Sequence, residues 1–237
     1  MHLFDMRIVI ISIILCFLYA CQPQAEQIVQ QSIAAHGLDQ VQTLDSLSYQ
    51  KTTQVYDSTG KVTKTIDQDH TIYWNPFIYE IRTPGDSTLQ VYRQIEDQVE
   101  VEQFGAIIQD TLLLQKAETA LATAYFVFWQ PFKLDDPKAV FTYAGTETLF
   151  NGEIVHAVEV GYPNDPSTDE WAFLFDVDSY LNLGYRVRHN DKLSLIINES
   201  FTERGGMPIV VEKRSSYLVL EDLDSIRIQA DYLYDLN

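Results

Sequence analysis

The chain has 237 residues, with 16 Lys and Arg against 34 Asp and Glu, which gives a formal net charge of −18. Nucleic-acid binding needs a basic patch or stripe that follows the phosphates, and the sequence has none, so we expect no nucleic-acid partner. The same charge argues against binding to anionic lipid through surface lysines and arginines, and is typical of a solvated acidic surface.

The N-terminus has the pattern of a targeting segment. Arg7 precedes Ile8–Leu18, an apolar run of eleven residues. This length suits the apolar region of a signal peptide, because a membrane-spanning helix needs about 20 residues. We predict a signal peptide over 1–20 and a single domain over 21–237. An ordinary secretory signal cut nearby, or an anchor that is retained, are the alternatives.

Cys21 directly follows this segment. Leu18-Tyr19-Ala20-Cys21 resembles the lipobox of bacterial lipoproteins, although Tyr19 is larger than the residue usual at its position. The resemblance implies cleavage before Cys21, which would then carry acyl chains on its thiol and new amino terminus. Each buried methylene contributes about 0.8 kcal/mol, so we expect the membrane as a partner through these chains. Cys16 is removed with the signal, which excludes disulfides and Cys-based metal sites or nucleophiles from the mature chain.

The first predicted element of the mature chain is an amphipathic helix that ends near Gly37. Gly37 supplies the residue that most easily adopts a left-handed C-terminal conformation. His36 lies in the last turn, where its charge or hydrogen bonds suit the helix carbonyls. The apolar face at helical spacing comprises Ala25, Ile28, Val29, Ser32, Ile33 and His36.

From Ser46 onward the apolar residues alternate with polar ones, which predicts strands, with a hairpin turn at Asp57–Gly60. One helix interrupts them: Asp110 can cap its N-terminus, and Pro131 stops it. Strands then continue to the C-terminus. We predict a mainly β fold, with one strongly curved antiparallel sheet of about eleven strands, an open half-barrel, and two helices against its concave side.

The stretch Tyr125–Pro137, YFVFWQPFKLDDP, carries five aromatic rings and closes the predicted helix. We interpret it as the hinge where that helix meets the sheet. Together with the lipobox and the first helix ending in His36-Gly37, this pattern resembles the LolA/LolB-like lipoprotein carriers. The block followed by AVFTYAGTETLFNGEIVHAVEV is more similar to a group of uncharacterised lipoproteins of Bacteroidota. The resemblance implies an open half-barrel that is covered by helices and holds acyl chains.

The leading hypothesis is a membrane-anchored periplasmic lipoprotein whose apolar groove binds a lipid, an acyl chain or a lipidated partner. Aromatic side chains suit such a groove because a ring gives apolar contact and a phenol gives orientation. Ordinary filling of the core is the alternative for each ring. The residues predicted to line the groove are Trp74, Tyr79, Tyr92, Phe128, Trp129, Tyr143, His156, Trp171, Phe173 and Tyr185. The second hypothesis is an envelope scaffold with a solid core and no ligand.

The sequence offers little catalytic or metal-binding chemistry. It has no G-x-S-x-G, H-E-x-x-H, GxGxxG or phosphate-binding glycine loop. His36, His70, His156 and His189 are widely spaced, and the acidic loop Tyr162–Glu170 lacks the spacing of a calcium loop. We therefore predict no enzyme activity, no cofactor and no metal site. By resemblance to carriers that lack a retention Asp after the lipidated Cys, we expect the outer membrane. The oligomeric state stays open.

Overall fold

A computed structural model describes residues 24–85, 89–163, 169–202, 207–222 and 225–236. The predicted signal peptide and Cys21 lie outside the described residues. The helices are α1 (Gln24–Ala35), α2 (Leu38–Val41) and α3 (Thr111–Phe128), and a 3-10 turn covers Phe132–Leu134. The strands are β1 (Ser46–Tyr56), β2 (Val62–Trp74), β3 (Phe77–Pro84), β4 (Leu89–Ile95), β5 (Gln98–Gln103), β6 (Ala106–Ile108), β7 (Val140–Thr148), β8 (Ile154–Gly161), β9 (Glu170–Asp176), β10 (Asn182–His189), β11 (Lys192–Thr202), β12 (Val210–Val219) and β13 (Ile226–Leu236).

All thirteen strands form one antiparallel sheet in the order β6-β5-β4-β3-β2-β1-β13-β12-β11-β10-β9-β8-β7. The first and last strands pair in its middle, with Tyr49 opposite Leu236 and Val55 opposite Ala230. The sheet is not closed into a barrel. The predicted fold, a curved antiparallel sheet with two long helices on its concave side, is confirmed. The sheet has thirteen strands, where about eleven were predicted; β6 was not predicted, because three residues are too few to show alternation.

Helix α1 covers one half of the concave face. Its apolar stripe of Ala25, Ile28, Val29 and Ile33 is buried, as the spacing predicts. The helix is followed by Gly37 at φ 87°, the left-handed conformation expected there.

Helix α3 joins β6 to β7, the two opposite edges of the sheet, and therefore crosses its concave face. Asp110 caps its first turn by accepting a 2.9 Å hydrogen bond from the Leu113 N–H, as predicted. The helix ends at Phe128, three residues before Pro131. Small and apolar residues along α3 pack against β3, β4 and β5, where Ala117 and Leu121 are fully buried.

The aromatic end of α3 packs into the core. Phe128 stacks on Tyr49 with ring centroids 4.1 Å apart, and Trp129 meets Trp74 edge to face at 5.3 Å. Both Phe128 and Trp129 are only 2% exposed. The YFVFW block therefore fixes the end of the crossing helix to the middle of the sheet.

Candidate functional site

A cleft of about 740 Å³ lies between helix α3 and the concave face of the sheet. From Thr119 to Val127 its helix wall is formed by short side chains, which leave room beside the sheet. Ligand pockets in proteins typically measure about 300–1,000 Å³. The lining residues from the helix are Gln115, Lys116, Thr119, Ala120, Thr123, Ala124 and Val127, and those from the sheet are Lys51, Gln68, Ile81, Tyr185, Ile196, Arg214, Tyr232 and Tyr234.

The central strands bring two cations and two phenols together at this cleft. Lys51 on β1 pairs with Tyr234 on β13, and Arg214 on β12 pairs with Tyr232 on β13. Residues that pair across strands, or that lie two apart on one strand, share a face of the sheet. The register therefore places all four side chains on the concave face. Lys51 and Arg214 stand two strand spacings apart, about 10 Å along the sheet.

Arg214 is the largest of the fully buried side chains, with 1% exposure. Its Nε donates to the Asn198 Oδ1 at 2.7 Å, and its Nη1 donates to the Val127 carbonyl at 3.0 Å in the last turn of α3. The guanidinium carbon lies 5.9 Å from the ring centre of Tyr185 and 6.0 Å from that of Tyr234. Its Nη2 is buried and has no hydrogen-bond partner among the described residues.

A chain of buried hydrogen bonds connects Arg214 with the end of helix α1. Asn198 Nδ2 donates to the Asn182 carbonyl at 2.7 Å, and the Asn182 N–H donates to His36 Nε2 at 3.0 Å. His36 Nδ1 lies 2.7 Å from the Ile209 carbonyl, to which it donates. The partners of the His36 ring are thus groups of the sheet and the loop before β12. The network ties the C-terminal ends of both helices to the same sheet.

The acidic residues near Arg214 lie on the other face of the sheet. Lys213, the neighbour of Arg214, points there and forms an ion pair with Glu199 at 2.5 Å. Asp231 accepts a 2.7 Å hydrogen bond from Tyr56 on that face. The described residues that line the cleft include Lys51, Lys116 and Arg214 but no Asp or Glu. A chain of net charge −18 thus presents a cleft with an excess of positive charge.

The phenols of Tyr185 and Tyr232 are neutral at pH 7 and cannot neutralise Arg214. Burial raises the pKa of Tyr185 to about 12, and the nearby Arg214 lowers it only in part. Burial likewise raises the pKa of Tyr232. In the part of the chain that the structure describes, no carboxylate lies within 4 Å of Arg214, Lys51 or Lys116. Among the described residues, the positive charges at the cleft therefore have no counter-ion in direct contact.

Two solved bacterial structures share this architecture. A protein of the DUF1329 family from Desulfovibrio piger matches with a TM-score of 0.51 and 12% identity over 90% of this chain and 91% of its own. A protein from Vibrio parahaemolyticus, assigned as an outer membrane lipoprotein-sorting protein domain, matches with a TM-score of 0.56 and 8% identity over 90% and 92%. The chain has a LolA-like fold. No protein-family model and no curated protein matches it.

Within this LolA-like fold, nine of the ten predicted groove residues belong to two apolar clusters of the concave face, and His156 lies beside the second cluster. Tyr185 lines the cleft beside α3. Five others are buried without lining it, namely Tyr79, Tyr92, Phe128, Trp129 and Phe173. Trp74, Tyr143, His156 and Trp171 are partly exposed. His156 has protein partners: its Nδ1 lies 3.1 Å from the Tyr143 hydroxyl, and its ring stacks with Tyr180.

Sequence reasoning missed the cations of the cleft. Lys213 and Arg214 are adjacent in a strand that is covered on its concave side, so one of the two side chains had to point inward. The adjacent Lys213 and Arg214 were therefore the feature of the sequence that could have predicted a cation at the concave face. The sequence could not show that Lys51 lies opposite the same stretch, because β1 and β13 pair only in the folded chain.

The described residues show no metal cluster: no group of three or more His, Cys, Asp or Glu is placed to hold a metal ion. In the same ranges, no helix is long and apolar enough to cross a membrane. The His70 ring is buried beside the cleft, with Nδ1 2.8 Å from the Tyr79 hydroxyl and 3.2 Å from the Tyr49 hydroxyl. The His70 ring and the hydroxyls of Tyr49 and Tyr79 are thus three polar groups in contact within the apolar cluster under α3.

Proposed function

We propose that the chain is a non-catalytic lipoprotein of the cell envelope that binds a lipid, an acyl chain or a lipidated partner in the cleft between α3 and the sheet. The cleft itself is the observation that carries this proposal. It is large enough for an acyl chain, and its lining is mostly apolar or aromatic. A scaffold with a solid core would not need such a space. The LolA-like fold is consistent with the proposal.

The wall formed by α3 offers a direct test. Ala124 is partly buried and lines the cleft, whereas Ala122 lies exposed on another face of the same helix and does not. We expect the purified protein to bind N-phenyl-1-naphthylamine, a neutral apolar dye that fluoresces in apolar sites. Ala124→Phe should weaken binding about tenfold or more, since a phenyl ring fills the space, and Ala122→Phe should leave it unchanged.

The urea midpoints of both variants serve as the control for folding. Extraction of the purified protein, followed by mass spectrometry of the extract, gives an independent readout of a bound lipid. Absence of both dye binding and co-purified lipid from the wild-type protein would refute the carrier function and favour the scaffold. Equal loss of dye binding in both variants would place the dye elsewhere.

The anchoring of the chain is a separate proposal. We infer that Cys21 follows a signal peptide over 1–20 and holds the protein, by its acyl chains, at the outer membrane facing the periplasm. The lipobox-like Leu18–Cys21 supports this proposal. The closer similarity of the Tyr125–Asp136 block to Bacteroidota lipoproteins remains a prediction from the sequence.

A single substitution tests the anchor. In the native host, the wild-type protein should sediment with outer-membrane fractions and should label with an alkyne-tagged fatty acid. Cys21→Ser should abolish the label. It should also leave the signal peptide uncleaved, because the signal peptidase that processes bacterial lipoproteins acts only after the Cys thiol has been acylated. A labelled Cys21→Ser protein, or an unlabelled wild type, would contradict lipidation at this position.

A further inference from the structure

We propose that the ligand of the cleft carries an anionic headgroup, a carboxylate or a phosphate, which is recognised by Arg214 together with Lys51. This inference rests on the proposed lipid-binding function and specifies the chemistry of the ligand. The ligand is then an amphipathic molecule whose tail lies along the short side chains of α3. Its charged end lies against the central strands β1, β13 and β12.

The burial of Arg214 is the first observation behind this inference. A guanidinium remains charged at any physiological pH, and removing it from water without a counter-ion is unfavourable by several kcal/mol. Its hydrogen bonds to Asn198 and Val127 go to neutral oxygens, and Nη2 has no partner among the described residues. An anion in the cleft would supply the missing charge and, after a small rotation of the guanidinium, an acceptor for the buried Nη2.

The second observation is the position of Lys51. Its Nζ lies 5.1 Å from the ring centre of Tyr232 and 5.9 Å from that of Tyr234, the ring that Arg214 also approaches. The strands that carry the two cations, β1 and β12, lie on opposite sides of β13, which carries both phenols. Charge-assisted hydrogen bonds to carboxylate or phosphate are about twice as strong as neutral ones, and a phenol can add a further donor.

A structural role for Arg214 is already visible in its bond to Val127, since it satisfies one of the last carbonyls of α3. That role explains one donor and a favourable interaction with the helix end. It does not explain the unpartnered Nη2, the second cation on the same face or the absence of carboxylates from the described lining of the cleft. A ligand anion accounts for all three features.

Ligands that share a tail and differ in the headgroup test the inference. Laurate, dodecyl phosphate and neutral 1-lauroylglycerol, each below its critical micelle concentration, are titrated against protein loaded with N-phenyl-1-naphthylamine. We expect at least one of the two anions to displace the dye at about tenfold lower concentration than lauroylglycerol, the factor given by 1.4 kcal/mol. Comparing laurate with dodecyl phosphate identifies the preferred headgroup. Inorganic phosphate alone should not displace the dye.

Variants then assign the preference to residues. Arg214→Met should reduce the ratio between the preferred anion and lauroylglycerol to near one while dye binding is retained. Lys51→Met should reduce it in part. Lys213→Met is the matched control, because it removes the same charge from the opposite face of the same strand and should keep the wild-type ratio. Should Arg214→Met fail to fold, the wild-type ratio and Lys51→Met decide the question.

The outcomes separate the two proposals. Dye binding without any preference for laurate or dodecyl phosphate over lauroylglycerol in the wild-type protein would overturn the anionic headgroup and leave lipid binding intact. An equal loss of preference in Lys213→Met and Lys51→Met would attribute it to net charge and also overturn the assignment. Failure of the dye and of every ligand to bind would overturn both proposals.

Discussion

Lowering the pH from 7 to 5 is expected to reduce the free energy of unfolding by about 4 kcal/mol through two buried histidines, His36 and His70. Burial lowers the pKa of His36 to about 4, against a partial opposing effect of its bond to Ile209. Burial, with a smaller contribution from Lys51, lowers the pKa of His70 to about 3. Both rings are therefore neutral in the folded protein at pH 7.

The free energy of unfolding decreases on acidification because the unfolded chain binds its protons at a higher pH than the folded protein. The unfolded chain binds a proton at each histidine as the pH falls through about 6.5, whereas the folded protein does so only near pH 4 and 3. Stability from the neutral rings is thus complete above pH 6.5 and is lost as the pH falls below it. Each histidine contributes a slope of about 1.4 kcal/mol per pH unit in this window. Carboxylates whose pKa is lowered, such as Glu80, act at lower pH.

Urea unfolding measured at half-unit steps between pH 7 and 5 checks this prediction. His36→Gln and His70→Gln each remove one titrating ring, and Gln in place of His36 still offers a donor and an acceptor to Ile209 and Asn182. Between pH 7 and 5 each variant should lose about 2 kcal/mol less than the wild-type protein, whatever its stability at pH 7. The reduction of net negative charge on acidification affects all variants alike, so it cancels in the comparison. Unchanged slopes in both variants would contradict the assignment.

Local patterns were sufficient to predict the two long helices and the fold class. The 3.6-residue spacing of Ala25, Ile28, Val29 and Ile33 reflects one buried face, and Asp110 forms the cap that its position indicated. The alternation of the strands identified an antiparallel sheet because one face of it is covered. These features depend on residues that are close in sequence, which is why a single sequence carries them.

The candidate site depends on contacts that no local pattern specifies. Lys51 and Arg214 meet at the cleft because the terminal strands β1 and β13 pair, an arrangement set by the whole topology. The predicted aromatic residues show the converse. Phe128 and Trp129 are aromatic, as residues that line a binding site often are, yet they are buried where α3 joins the sheet. Aromatic content indicates burial, and only the fold decides which rings border a cleft.

Gly184 connects the architecture of the sheet with the candidate site, and Gly184→Ala is expected to destabilise the protein by about 3–5 kcal/mol. Gly184 has φ 150° and follows an irregularity in the pairing of β9 with β10. A Cβ built there would lie 2.0 Å from the Ile196 carbonyl oxygen and 3.2 Å from the Ile197 Cα, both backbone atoms. Overpacking of this kind costs about 1–3 kcal/mol or more, and the backbone conformation adds about 1–3 kcal/mol.

The strain would reach the cleft through the hydrogen-bond network. The Gly184 N–H donates to the Asn182 Oδ1 at 2.9 Å, and Asn182 receives the bond from Asn198 that in turn orients Arg214. Gly161→Ala, where a new Cβ meets nothing within 4 Å, is the matched control and should change the urea midpoint little. A Gly184→Ala protein as stable as Gly161→Ala would contradict the close approach of β10 and β11. Because the same strands carry Tyr185 and Asn198, their approach is also what places Arg214 at the cleft.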